Sequence, residues 1–359
     1  MRVGLFTSSL PEERRKIGGV EIFVHRLANA LTDRGHRVVV CTFARSAPSD
    51  ARYELRRAGS AAVATSKIGR LALCPALLNG LHVADLDVLN LHGDDWFYVR
   101  RPVPTVRTFH GSAWREAQSA TRWQRGLVQA MLYPLELAAS RLATSAYTVC
   151  AGMPRGYRLA GMLPQGGGLF PEMVDQQRRD RFPDPTVLFV GTWDGRKRGR
   201  WLRDVFCAEV LPRHPTARLL MVSDHCEESE GVEWFPHPDD RALSELYARS
   251  WLFCLPSTYE GFGQPYVEAM AHATPVVATP NPGLVHVAGE RGAALIVADA
   301  QLGHAISGLL ADGRWRQALA TLGIERAGEF GWERACVAHE AAFAQAISLG
   351  SGRRSRTPT

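Results

Sequence analysis

The chain has 359 residues, 46% of them hydrophobic, 22% charged and 9% aromatic. That size and balance exclude a single small binding module, a collagen, a coiled coil or a disordered linker, and favour two domains of roughly 150 to 200 residues. The formal net charge of +6 is uneven: 22 basic against 12 acidic residues in 1–165 give +10, and 20 against 24 in 166–359 give −4, so the first half is suited to an anionic partner.

At the start, the apolar run Val3 to Phe6 is too short for an export signal. The stretch Leu71 to Ala84, broken by Pro75, Asn79, Gly80 and His82, falls short of the ~20 apolar residues of a membrane span. The seven cysteines (Cys41, Cys74, Cys150, Cys207, Cys226, Cys254 and Cys336) are scattered and never closely paired. Reduced thiols in a cytoplasmic protein are expected, with no metal site.

Short apolar runs alternate with amphipathic ones: a strand at Arg2 to Phe6, a helix at Val20 to Arg34, then strands at His36 to Phe43, Asp87 to Leu91 and Thr105 to Phe109. This is the pattern of βαβ units on a parallel sheet. Gly161 to Pro185 reads as a linker, with Gly166, Gly167 and Gly168 and four prolines. The alternation then resumes: strands at Thr186 to Val190, Arg218 to Val222, Trp251 to Leu255 and Pro275 to Ala278, and helices at Trp201 to Leu211, Leu243 to Ala248 and Val267 to His272. Two Rossmann-like halves follow, with ligands expected in a cleft beyond the carboxyl ends of the strands. The basic tail Arg353 to Thr359 reads as disordered.

Four constellations could carry chemistry. The strand ending at Leu255 leads into Glu260-Gly261-Phe262-Gly263-Gln264-Pro265 and then Glu268-Ala269-Met270. Gly261 and Gly263 permit close backbone approach, and a helix N-terminus suits a phosphate. Two carboxylates eight residues apart suit sugar and ribose hydroxyls better than phosphate. A turn and a helix-end carboxylate are the structural alternative. After Val190, Gly191 to Gly199 holds Arg196, Lys197 and Arg198, followed by Arg200; Arg196 and Lys197 could neutralise a diphosphate, or the cluster could be a solvated turn. Gly18-Gly19 precedes the first helix without the dinucleotide-binding spacing, which argues against a dehydrogenase. His110 ends one strand and His92 an analogous one, each open to a substrate-contact, proton-transfer or structural role.

With these residues, and with Pro275-Val276-Val277-Ala278-Thr279 and Phe330-Gly331-Trp332-Glu333-Arg334, the chain resembles glycosyltransferase family 4 over most of its length. The resemblance implies an α/β fold of GT-B type, two Rossmann-like domains facing each other across a cleft. Residues 1–165 would form the acceptor-side domain, 166–330 the nucleotide-sugar donor domain and 331–350 a helix crossing back to the first domain, with 351–359 a disordered tail. It implies a retaining enzyme, without cofactor or metal, moving a sugar from a nucleoside-diphosphate sugar to a hydroxyl of a glycan, glycolipid or natural-product acceptor. Attack on the same face, with the leaving diphosphate accepting the acceptor's proton, is the expected mechanism. By the same resemblance Lys197 and Arg196 hold the diphosphate, Glu268 the ribose, Glu260 the transferred sugar, and the backbone of Gly261, Phe262 and Gly263 the sugar and phosphate. Gly18 and Gly19 approach the diphosphate from the other domain, and His110 lies beside the reacting sugar.

Three departures from the family's pattern are Thr192 where an arginine is common, Leu284-Val285-His286 where a glutamate is common after Asn281-Pro282-Gly283, and the glycine-rich linker. A catalytically silent binding subunit and a GT-B epimerase are the rival readings. A phosphorylase would need a cofactor lysine, and Lys16, Lys67 and Lys197 are the only three lysines. No nucleic-acid motif is present. Arg14-Arg15-Lys16, Arg52, Arg56-Arg57 and Arg100-Arg101 suggest peripheral contact with an anionic membrane or lipid-linked acceptor. Trp114, Trp123 and Tyr133 could line an acceptor pocket, with the hydrophobic core as their expected place.

Overall fold

The structure is a computed structural model that describes residues 1–11, 18–65, 69–120, 122–167 and 180–354. Arg14-Arg15-Lys16, Gly168 and the end of the tail lie outside the described residues. The chain divides into two compact units. The first comprises Met1–Trp114, Leu127–Gly166 and Trp332–Thr359, the second Arg115–Gly126 and Gly167–Gly331. The short second-unit piece Arg115–Gly126 has no counterpart in the contiguous 1–165 domain read from the sequence.

In the first unit, seven strands form a parallel sheet: β1 (Arg2–Phe6), β2 (Arg37–Thr42), β3 (Glu54–Arg57), β4 (Val88–Leu91), β5 (Thr105–Phe109), β6 (Ser145–Thr148) and β7 (Gly161–Met162), in the order β3-β2-β1-β4-β5-β6-β7. The central strands β1, β2 and β4 are largely apolar and buried because both faces of such a sheet are covered, whereas the edge strands β3 and β7 are partly exposed. Helix α1 (Gly19–Asp33) buries Phe23, Val24, Leu27, Ala28 and Leu31, the stripe that a 3.6-residue period places on one side. Helices α2 (Ala113–Gln118) and α3 (Trp123–Leu142) follow β5, with Arg115–Gln118 of α2 and Trp123–Gly126 of α3 falling in the second unit.

In the second unit the sheet is β8 (Thr186–Val190), β9 (Arg218–Val222), β10 (Val232–Phe235), β11 (Leu252–Cys254), β12 (Val276–Ala278) and β13 (Leu295–Ile296), in the order β10-β9-β8-β11-β12-β13 and parallel throughout. Its helices include α4 (Gly199–Val205), α5 (Asp240–Arg249), α6 (Gln264–Ala271), α7 (Pro282–Ala288), α8 (Leu302–Ala311) and α9 (Gly313–Gly328). The sequence places a helix at Trp201 to Leu211; α4 instead starts two residues earlier and passes at Phe206 into a wider, π-type turn ending at Val210.

The last helix, α10 (Trp332–Arg354), belongs to the first unit, against α1, β4 and β5. It runs past residue 350, where the sequence suggests a tail. In the described part of the linker, Gln165, Gly166 and Gly167 are buried. A Cβ on Gly166 would stand 2.5 Å from the Trp332 ring, and the Gly167 N–H donates to Phe330 O at 2.9 Å. These glycines serve close packing.

Candidate active site

In each sheet the strand order reverses between two adjacent strands, β1 and β4 in the first unit and β8 and β11 in the second. Beyond the carboxyl ends of such a pair the connections diverge and leave a crevice. Every constellation singled out in the sequence follows β1, β4, β5, β8 or β11.

In the second unit, β8 and β11 bring Arg196-Lys197 beside Glu260. The two loops are tied by a hydrogen bond from the Thr258 N–H to Arg196 O at 2.9 Å. Glu260, only 6% exposed, accepts from Ser257 Oγ at 2.7 Å and pairs with Arg196 at 2.6 Å, while Lys197 Nζ stands 4.0 Å away. Burial opposes ionisation of this carboxyl, but the charges of Lys197 and Arg196 outweigh it and hold Glu260 below the usual carboxylate range. Arg196 also donates to Tyr259 O at 2.5 Å. The result is a buried carboxylate flanked by two cations, with a net positive charge facing whatever binds there.

Glycine makes room for this cluster. A Cβ on Gly191 would stand 2.6 Å from the Phe189 ring and 3.0 Å from Lys197 Cδ, so the lysine stem passes over a bare backbone. Gly263, at φ +94°, enters α6 in the left-handed region, and a Cβ there would meet the Tyr266 ring at 2.5 Å. Pro265 lies in the first turn of α6. The Phe262 side chain turns into the core against Phe330, leaving its backbone to the loop. Glu268 lies half-buried on α6 and accepts from Tyr247 OH at 3.2 Å; Tyr247 stacks on His272, whose Nδ1 bonds Glu268 O at 2.7 Å.

The four neighbouring cations separate into two roles. Arg198, at φ +56°, donates to Pro256 O and Thr279 Oγ1, pairs with Asp299 at 2.6 Å and covers Trp201, so it braces the loop. Arg200 pairs with Asp194 and Glu227. Of these four, Arg196 and Lys197 reach Glu260, and Arg196 is the closer. His286 packs against Phe262 and Phe330, and burial with the nearby Arg326 charge lowers its pKa, so its surroundings are those of a packing residue.

Sequence reasoning missed Ser257, Asn281 and Gly283. Asn281 caps α7 by accepting from the Leu284 N–H at 2.9 Å and donates to Tyr266 OH at 3.0 Å. The Gly283 N–H donates to Glu260 O at 3.1 Å, and a Cβ on Gly283 would stand 2.7 Å from Glu260 O and Phe262 O. The cap, proline and glycine order of Asn281-Pro282-Gly283 is a helix-start signal that marks this support.

In the first unit, His92 after β4 and His110 after β5 meet through Nδ1 and Nε2 at 2.9 Å. With His339 of α10 they surround the Phe23 ring. Burial, reinforced by Arg107 and His339, pushes His110 down to about 3; burial pushes His339 down to about 4 and, with His110, His339 and Arg107, lowers His92 well below its ordinary value. At neutral pH all three are neutral imidazoles, able to hydrogen-bond a hydroxyl and unsuited to act as cations. Below them Asp95, fully buried, pairs with Arg107 at 2.8 Å and Arg101 at 3.1 Å, which anchors the two strand ends. Gly18 caps α1 in extended geometry and Gly19 opens it; both are exposed, and nothing stands within 4 Å of a Cβ on Gly19.

Two family models match this chain, "Glycosyltransferase Family 4" over residues 17–153 and "Glycosyl transferases group 1" over residues 184–312, together nearly three quarters of it. The O-antigen chain mannosyltransferase B of Escherichia coli is 32% identical over 166 residues, 41% of this chain and 42% of that protein, so this match spans less than half of the relative. The phosphatidyl-myo-inositol mannosyltransferase of Mycobacterium tuberculosis is 27% identical over 311 residues, 78% of each. Among solved structures, a sucrose-phosphate synthase from Thermosynechococcus elongatus superposes with a TM-score of 0.75 at 20% identity, covering 97% of this chain and 99% of that one. An Anabaena protein in complex with UDP and glucose gives 0.69 at 16% identity, covering 96% and 100%. With two parallel Rossmann-like sheets of GT-B type, one family model on each half and mannosyltransferases among its relatives, the chain belongs to glycosyltransferase family 4.

Proposed function

We propose that this protein is a retaining glycosyltransferase that moves a sugar from a nucleoside-diphosphate sugar to an acceptor hydroxyl without a bound metal. The observation that carries the proposal is the buried Glu260 held between Arg196 and Lys197 at the mouth of α6. A diphosphate would replace Glu260 as the partner of the two cations, with the N-terminus of α6 adding its partial positive charge. The freed Glu260 oxygens would accept hydrogen bonds from sugar hydroxyls, and Glu268, steadied by Tyr247, from the ribose.

The chemistry then needs charge stabilisation more than a side-chain nucleophile. As the anomeric bond breaks, negative charge grows on the diphosphate, where Lys197 and Arg196 stabilise it. The acceptor hydroxyl attacks the same face and passes its proton to the departing phosphate oxygen.

The named relatives act in O-antigen chain and phosphatidyl-inositol mannosylation. A lipid-linked or glycan acceptor, met by an enzyme peripheral to a membrane, is therefore the acceptor class we infer, with mannose first among sugars to test. The test is transfer from a panel of nucleotide sugars, with EDTA or magnesium, to lipid-extract acceptors, with the product anomer read by NMR. Retention with EDTA present supports the proposal. Inversion, or turnover only with magnesium, overturns the mechanism, and nucleotide binding without any turnover returns the silent-subunit alternative.

A further inference from the structure

His92 and His110 each follow a strand of the first unit, but they are placed differently. His92 is buried, whereas His110 is half-buried. The strand ends that carry them are locked together. Arg107 donates from Nη1 to Leu91 O at 3.0 Å and to Thr108 O at 2.9 Å, and Asn90 Nδ2 donates to Thr108 Oγ1 at 2.9 Å. The His92 N–H donates to Phe6 O at 3.0 Å. The two rings lie 5.2 Å apart, tilted by 37°, with Phe23 against both. His92 Nδ1 and His110 Nε2 therefore face each other at 2.9 Å. Because both imidazoles are neutral, one must donate in this bond and the other accept.

The direction of the bond is set by what surrounds the far nitrogens. His92 Nε2 is buried and has no hydrogen-bond partner among the described residues. A proton on it would be an N–H stranded in the interior, whereas a bare ring nitrogen strands only an acceptor, which folded proteins tolerate better. His339 does not change this balance. Its Nδ1 lies 2.8 Å from Ala335 O, which can only accept, so the His339 proton sits on Nδ1 and leaves Nε2 bare. His339 Nε2 is also buried without a partner among the described residues, so it is out of hydrogen-bond reach of His92 Nε2. Asp95, three residues beyond His92, is engaged by Arg107 and Arg101. The His92 proton therefore belongs on Nδ1, where His110 accepts it.

We propose that His92 is a positioning residue whose Nδ1–H donates to His110 Nε2, fixing the His110 proton on Nδ1 and presenting that N–H as a donor to a substrate oxygen. Among the described residues His110 Nδ1 has no partner of its own. In this form His110 offers a hydrogen bond to a hydroxyl or ring oxygen, and Nδ1 has no lone pair with which to remove a proton. The reversed bond, from His110 Nε2–H to His92 Nδ1, would turn the same nitrogen into a base. His92 thus decides between a donor and a base at His110, and the donor form agrees with a mechanism in which the departing phosphate takes the acceptor's proton. The inference rests on the reading of His110 as a substrate contact and assigns that contact its direction.

The test joins NMR of the ring nitrogens, on the full chain labelled with nitrogen-15 in histidine, to transfer kinetics of His92→Phe, His92→Asn and His110→Phe. Phe keeps the bulk of the His92 ring without a donor, and the Asn amide can donate from nearly the position of Nδ1. Thermal unfolding of each variant reports that it is folded. Near neutral pH the wild-type spectrum should show His92 and His110 both protonated on Nδ1. In His92→Phe the His110 proton should no longer be confined to Nδ1, and kcat should fall about tenfold or more while the donor KM changes less than about threefold. His92→Asn should bring kcat back to within about threefold of wild type. A role in packing alone predicts the reverse order, with Phe the better replacement, and that order overturns the proposal. A wild-type spectrum with the His110 proton on Nε2 overturns it as well. The expected tautomers together with wild-type transfer by His110→Phe would instead refute the reading of His110 as a substrate contact, and with it the positioning role.

Discussion

Replacing Glu260 with Gln tests the electrostatics of the donor site most sharply, because it removes one charge and keeps the shape. Removing one partner of a buried ion pair costs about 3 to 5 kcal/mol. Arg196 and Lys197 keep 28% and 20% of their side-chain surface in water, and solvent screening lowers the expected cost to about 1 to 3 kcal/mol. For a unit of this size that is a fall of ~2 to 10 °C in the unfolding midpoint. The sign reverses with ligand: two cations released from Glu260 should bind a nucleoside diphosphate at least as well, so the nucleotide-induced rise should be larger than in wild type. Transfer should still fall about 100-fold or more, equivalent to ~2.7 kcal/mol of transition-state stabilisation, because the sugar loses its carboxylate. The assays are differential scanning fluorimetry with and without nucleotide, and nucleotide release with acceptor. An unchanged midpoint together with undiminished transfer would refute the assignment of Glu260.

Lys197→Ala should lose turnover with little change in unfolding midpoint, whereas Arg198→Ala, which breaks contacts to Pro256, Thr279 and Asp299, should lower stability by ~1 to 3 kcal/mol; urea titration and steady-state kinetics separate the two, and the opposite pattern would exchange their roles. Gly283→Ala places a methyl group 2.7 Å from Glu260 O and Phe262 O, so the loop must shift, with ~1 to 3 kcal/mol lost and nucleotide response weakened; a wild-type response in calorimetry would show that the loop tolerates it. His110 and His339, pushed down to about 3 and about 4 from 6.5, bind protons more readily unfolded than folded. Their contribution to stability is therefore complete above about pH 6.5 and lost as pH falls toward those values. Urea midpoints measured from pH 7.5 to 5 should decline below 6.5, less steeply in His339→Asn, and a flat profile would contradict the buried-neutral cluster.

Eight of the thirteen described strands were legible because they are short apolar runs bounded by Gly, Pro and polar turns, as at Thr186 to Val190 and Thr105 to Phe109; β3, β6, β7, β10 and β13, short or polar in sequence, were not read. The pairing of Glu260 with Arg196 and Lys197 was legible in part: motif order put both groups at strand ends, but only the adjacency of β8 and β11 brings them together. That Arg198 braces the loop while Arg196 faces the site depends on a left-handed residue and on Asp299, 101 positions away, which no local pattern shows. His92, equivocal by itself, gains meaning from His110 and from His339 near the far end of the chain. Trp114 and Trp123, whose expected place was the core, are exposed instead, because residue type alone does not say which way a helix face points.

Thermal unfolding of wild type and Lys197→Ala against UDP, GDP, dTDP, ADP and CDP in EDTA tests the central claim most directly. A nucleoside diphosphate at ~100 times its dissociation constant should stabilise wild type by ~2.7 kcal/mol, with one base preferred and the response much reduced in Lys197→Ala. No response to any nucleotide, or the same response in both proteins, would contradict a donor diphosphate held at Arg196 and Lys197.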